Sequence, residues 1–261
     1  MRRGASGHLP EHTLEAYAAA FYMGADMIEP DVVATRDHRL ICFHDLYLEQ
    51  VTDIEQRFPD RRRSDGHWNV IDFDLAELKS LAVTGRGASW SGMQIPTLDE
   101  MLALVARLNE QAGRSVGVIP ELKKPAFHRE EGIDIAAPTV AAIAEHGFHA
   151  EQVILQSFDA DTLRQLAANE AIPYRLLYLM SERDKHPPLS DIARFADGAS
   201  PARRIIERDP SFVRRAQDLG LLVISYTFED EPAATATFFN AHGVDGIFTD
   251  YPLTAIEARG D

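Results

Sequence analysis

Glu29 and Asp31 stand two residues apart in the run Ile28-Glu29-Pro30-Asp31-Val32. Side chains two apart on a strand point to one face, so both carboxylates would stand side by side. Phe43-His44-Asp45 follows one short hairpin later and brings an imidazole next to them. A third carboxylate, Glu121, comes in Val118-Ile119-Pro120-Glu121-Leu122-Lys123. Carboxylate oxygens are ligands for hard divalent cations, and a histidine beside such a cation can give or take a proton. Acidic residues also commonly end strands at solvent, and Glu29 and Asp31 alone would fit that reading equally well. Inside a strand, however, two neighbouring carboxylates repel unless a cation joins them. With Glu121 and His44 added, the pattern points to a metal–histidine site. Its all-oxygen donor set favours calcium or magnesium over zinc.

Lys123 alternates onto the same face as Glu121 and would present a point charge to a phosphate oxygen beside the metal. Arg3 is a second phosphate candidate, because a guanidinium matches a phosphodiester with two parallel hydrogen bonds. His12 precedes a helix start and reads as a capping or packing residue. Asp250, in Thr249-Asp250-Tyr251-Pro252, reads as a helix cap. Cys42, the single cysteine, lies in an apolar strand and reads as a buried, inert thiol.

The elements that must position these residues alternate between strand and helix, the pattern of a parallel α/β architecture. Strand signals fall at 27–35, 40–44, 116–122, 153–157, 175–180, 196–200, 221–227 and 246–249. Helical signals fall at 98–111, 133–146, 160–168, 211–219 and 232–241, and Thr13 is positioned to cap a helix reaching Gly24. A chain of 261 residues suits one large (β/α)8 barrel. Residues 45–95 break the alternation and leave from the end of the His44 strand, so they read as an insertion beside the pocket. Hydrophobic content of 45% and charged content of 26% are those of an ordinary globular domain. The net charge of −15 argues against a nucleic-acid partner. No apolar run approaches a membrane span, and no signal peptide is evident, so the expected location is cytoplasmic; it would be periplasmic if an upstream segment had carried a signal.

Several stretches together resemble the glycerophosphodiester phosphodiesterase family. They are Arg3-Gly4-Ala5-Ser6-Gly7, Leu9-Pro10-Glu11-His12-Thr13, Glu29/Asp31, Phe43-His44-Asp45, Pro120-Glu121-Leu122-Lys123 and Phe248-Thr249-Asp250-Tyr251-Pro252. Arg57-Phe58-Pro59-Asp60 and Ile71-Asp72-Phe73 are similar to the bacterial periplasmic branch. The resemblance implies a distorted TIM barrel forming a single domain over 1–261, and metal-dependent hydrolysis of small-molecule glycerophosphodiesters to glycerol 3-phosphate and an alcohol. It also implies metal ligation by Glu29, Asp31 and Glu121, and phosphate contacts from Arg3 and Lys123. His44 would be the general acid, and Phe158 and Tyr226, with Gln156 and Ser157, would line the pocket. One departure stands out. The family opens on a strand ending in His-Arg-Gly, whereas this chain opens Met1-Arg2-Arg3-Gly4, with Arg2 at the place of the first catalytic histidine. Guanidinium stays protonated and cannot act as a base. The alternative implied is a barrel that binds metal and phosphodiester without efficient turnover. Counting the family's first strand, nine strand candidates compete for eight barrel places.

Overall fold

The computed structural model describes residues 2–85, 88–90 and 92–260. The strands are β1 (Met27–Ile28), β2 (Asp31–Ala34), β3 (Leu40–Cys42), β4 (Thr84–Gly85), β5 (Ala88–Ser89), β6 (Gly117–Val118), β7 (Glu121–Leu122), β8 (Ile154–Ser157), β9 (Arg175–Met180), β10 (Gly198–Pro201), β11 (Leu222–Phe228) and β12 (Gly246–Thr249). β1 and β2 are one barrel stave broken at Pro30, and β6 and β7 another broken at Pro120. Proline has no N–H to give a neighbouring strand, yet its carbonyl still accepts. Glu121 N donates to Pro30 O at 2.8 Å and Gln156 N to Pro120 O at 2.9 Å, so register carries across both breaks.

From β2 the staves run in parallel through β7, β8, β9, β10 and β11 to β12. Together with β1 and β6 they make seven barrel staves. Arg2 occupies the eighth place. Its N–H donates to Thr249 O at 3.0 Å on one side, and it forms a parallel bridge to Glu29 on the other. The surplus candidate is β3, which pairs antiparallel with β2. Its buried apolar residues look like those of a parallel stave, so only the short turn before it hints at the reversal.

The helices pack outside, their apolar stripes turned to the strands. The helix Leu98–Ala112 is the clearest: Thr97 and Glu100 form a capping box, Gly113 ends it at φ +62°, and Leu98, Met101, Leu102, Val105 and Leu108 are buried. The first helix, Leu14–Tyr22, is capped by Thr13 as the sequence suggests. Inside the barrel, Ile119, Ile154, Leu177 and Phe248 form a plug beneath the strand ends. Residues of the 45–95 stretch build a core of their own, in which Leu48, Ile54, Trp68, Phe73 and Leu78 pack with Val33 and Ile41 of the β2–β3 hairpin.

Candidate metal centre

The three carboxylates converge beside the breaks at Pro30 and Pro120, beyond the N-terminal halves β1 and β6 and so toward the end where barrels build active sites. Glu29 sits between β1 and β2, Asp31 opens β2 and Glu121 opens β7; all are buried, and their nearest oxygens lie within 4.8 Å of one another. Phe43 N donates to Asp31 O at 2.9 Å, which fixes the end of the hairpin and places His44 beside the acids. His44 is half-buried and holds Asp45 through Nδ1 at 2.7 Å, leaving Nε2 as its other ring nitrogen. Arg2, Glu29, Asp31, His44, Glu121 and Lys123 line one cavity of about 140 Å³, joined at its rim by Gln156, Phe158 and Tyr226.

Electrostatics separate the acids. Burial alone would raise Asp31, but Lys123 Nζ at 3.5 Å and His12 Nε2 at 2.8 Å hold it well below the usual carboxylate range. Burial, with Asp31 and Glu121 as like-charged neighbours, pushes Glu29 well above that range. Burial also lifts Glu121 to about 7; Asp31 adds to the rise, against the pull of Lys123 Nζ at 2.9 Å. Burial disfavours the charge on Lys123, but Asp31 and Glu121 outweigh it and raise its pKa. Three carboxylates at this spacing cannot all ionise cheaply unless a cation joins them.

The donor set suits a hard divalent cation on independent grounds. Gln156 Oε1 is a buried acceptor with no hydrogen-bond partner and its amide nitrogen leans on Glu29 Oε1 at 3.3 Å, while buried Asp31 Oδ1 has the ion pair to Lys123 Nζ at 3.5 Å and no hydrogen bond. Buried acceptors normally find a donor. Acceptors this poorly satisfied, around an all-oxygen trio, form a donor set that a hard divalent cation would fit.

Some residues stand elsewhere than the sequence suggests. Arg3 is absent from the cavity lining. Its Nη1 is held by Glu11 at 2.6 Å and its Nε lies 3.4 Å from Asp31, so the guanidinium sits behind that acid. Arg2 does line the cavity. Ser157 turns away and donates to Leu122 O at 2.9 Å. Asp250 caps no helix: it accepts from Ser6 Oγ at 2.8 Å and pairs with Arg2 at 3.4 Å, while the following helix begins at Pro252. His12 is buried and hydrogen-bonded on both ring nitrogens, to Asp31 at 2.8 Å and to Tyr17 Oη at 2.6 Å, so it does more than cap or pack. Nothing in its spacing announces this, because it enters the site from a loop at φ +53°. Cys42 is buried, and burial raises its thiol pKa, as expected of an inert cysteine. Of the 45–95 stretch, Val51, Val83, Thr84 and Gly85 line a neighbouring crevice of about 210 Å³ with Glu11 and Asp250; among the described residues, none of the stretch lines the acidic cavity, which His44, just before it, does.

Comparison with known proteins places this arrangement. The profile of the Glycerophosphoryl diester phosphodiesterase family matches residues 3–254. A glycerophosphodiester phosphodiesterase of Haemophilus influenzae is 30% identical over an alignment covering 98% of this chain and 87% of that one. A protein of the same description from Treponema pallidum is 29% identical, covering 99% and 90%. Among solved structures, a phosphodiesterase of Oleispira antarctica, in complex with the product sn-glycerol-3-phosphate, aligns over 100% of this chain and 95% of its own at a TM-score of 0.78 and 24% identity.

Proposed function

Because the chain belongs to the glycerophosphoryl diester phosphodiesterase family, we propose that it hydrolyses glycerophosphodiesters to glycerol 3-phosphate and a free alcohol, and that calcium or magnesium supports the reaction. The observation that carries this reading is the meeting in one cavity of three buried carboxylates, an imidazole and two cations. Glu29, Asp31 and Glu121 would hold the cation, which when bound supplies Lewis-acid polarisation of the phosphoryl group.

The protein's own groups do the rest. Arg2 and Lys123 face the cavity with fixed positive charge and would hold the two free phosphoryl oxygens, stabilising the charge that builds during displacement. Lys123 is kept protonated by Asp31 and Glu121, so it serves as a permanent cation. His44 would deliver a proton from Nε2 to the departing alcohol, with Asp45 holding the ring through Nδ1. Phe158 and Tyr226 meet edge to face at 6.0 Å, and Tyr226 is fixed by its hydroxyl donating to Met180 O at 2.8 Å. They form an apolar wall suited to the carbon side of glycerol. Arg3 and His12 hold Asp31 in place from behind.

Arg2 favours a second reading. A guanidinium stands where the family carries a base, and losing one general acid–base group costs on the order of 10²–10⁴ in rate. A barrel that binds metal and phosphodiester with negligible turnover would result. Release of glycerol 3-phosphate from glycerophosphocholine, followed with calcium or magnesium and with chelator, separates the two. Chelator-sensitive release supports the hydrolase. Absence of release from the folded protein, together with a gain in Arg2→His, supports the impaired binder.

A further inference from the structure

His128 is buried in the short helix Pro125–Glu130 that follows β7, and it does not line the acidic cavity. Both of its ring nitrogens are taken by backbone. Ala34 N donates to Nε2 at 3.1 Å, and Nδ1 stands 3.1 Å from Lys124 O. An amide N–H can only donate and a carbonyl can only accept, so these partners hold the ring as the neutral Nδ1–H tautomer. The partners join two parts of the site. Ala34 ends β2, the strand that Asp31 opens, and Lys124 directly follows Lys123. Ladder register runs up to this point, with Lys123 N donating to Val32 O at 3.1 Å. The next rung of a parallel ladder would join Ala34 N to Lys123 O. Instead the chain turns at Lys124, in the left-handed region at φ +43°, and the imidazole takes up the Ala34 N–H. A residue other than glycine stays in that region only where its surroundings fix it.

We infer that His128 is a positioning residue for Lys123. Its ring bridges the stave of Asp31 to the left-handed turn after Lys123, and so holds that ammonium against the acids. Lys123 Nζ lies 2.9 Å from Glu121 Oε1 and 3.5 Å from Asp31 Oδ1, contacts that depend on where the turn leaves the lysine. The helix has other ties, from Arg129 to Asp159 and from Glu131 to Arg63, but these are ion pairs near the surface, which contribute little, and neither runs to β2. The bridge through His128 is buried and made to both sides, and removing it would leave the Ala34 N–H without a partner. Its bearing on phosphate binding rests on the reading of Lys123 proposed above; the placement of Lys123 itself does not.

The chain's lysines are Lys79, Lys123, Lys124 and Lys185, so acetylation can be followed at each one by mass spectrometry. The test treats the whole chain with acetic anhydride in chelator at mildly alkaline pH, and reads Lys123 against exposed Lys185. An ammonium held by two carboxylates stays protonated and unreactive, and each unit by which its pKa falls yields about ten times more free amine. His128→Leu should therefore raise the relative acetylation of Lys123 about tenfold. His128→Gln, whose amide can accept from Ala34 N and donate to Lys124 O, should keep it near that of the unaltered chain. His128→Asn reaches Lys124 O but not Ala34 N; it should also raise acetylation, and it decides the matter if the leucine variant does not fold. Where glycerophosphocholine is turned over, kcat/KM should fall in the same variants and recover in His128→Gln. A chain that releases no glycerol 3-phosphate would defeat the hydrolytic reading alone, because acetylation needs no turnover. Unchanged Lys123 reactivity in a folded leucine or asparagine variant, or an equal rise in His128→Gln, would overturn the assignment.

Discussion

His12 shows how the site's charge is set by a residue that does not line it. Its Nε2 meets Asp31 Oδ2 at 2.8 Å and its Nδ1 meets Tyr17 Oη at 2.6 Å, both fully buried. Burial lowers its pKa despite Asp31, so it serves as a neutral hydrogen-bond donor to that carboxylate. Partners of this kind orient metal ligands, and removing one typically costs 10–100-fold in affinity. We therefore expect His12→Ala to weaken divalent-cation binding by about 10–100-fold in a calorimetric titration, while the fold is retained by circular dichroism; unchanged affinity would reduce His12 to packing. That Glu29, Asp31 and Glu121 meet, with His44 and Lys123 beside them, was legible in the sequence because strand alternation fixes which side chains share a face. His12, Glu11 and the Asp250–Arg2 pair were not, because loops with positive φ bring them together and no periodicity reports such loops.

At the scale of elements, the loop Arg3–Thr13 decides whether Arg3 and His12 reach Asp31. Gly4 is its pivot, at φ +77°, and a Cβ there would lie 2.6 Å from the Ala16 carbonyl carbon of the first helix. Ala5 N donates to Ala16 O at 2.8 Å, so the loop cannot retreat without losing that bond. Gly4→Ala should cost about 2–3 kcal/mol from backbone strain and collision. Chemical denaturation would measure it, and a change below about 0.5 kcal/mol would contradict the close packing. The staves and the long amphipathic helices were readable from their periods. The short turn before β3 marked it as a hairpin strand, but which of the nine candidates lies outside the barrel was not assignable, since a short buried apolar run looks the same in either place. The short helices Pro125–Glu130 and Arg203–Arg208 lack enough turns to show a period, and tertiary packing decides them.

For the molecule as a whole, the acid trio couples stability to pH and to cation. Glu29 and Glu121 have folded pKa values raised above their unfolded ones, Glu121 from 4.5 to about 7. The contribution of Glu121 is therefore fully present below about pH 4.5 and is lost as pH rises through about 7, and that of Glu29 is likewise lost as pH rises through its own raised pKa. Asp31 is depressed, so its contribution is lost only in acid, outside this window. In chelator, Tm should fall as pH rises from 5 to 8, and added magnesium or calcium should restore most of the loss at the upper end. A chelated Tm that is flat across this range would show that the carboxylates are not strained against one another. A cation bound only by the folded state would offset the cost of three buried acids by mass action.

The measurement that bears most directly on the account is calorimetric titration of calcium and magnesium into chelator-stripped protein, with Glu29→Gln in parallel. The account predicts one saturable divalent site per chain, lost or weakened at least tenfold in Glu29→Gln. Saturable binding that survives the substitution unchanged, or no binding to the unaltered chain, would contradict a cation held by Glu29, Asp31 and Glu121.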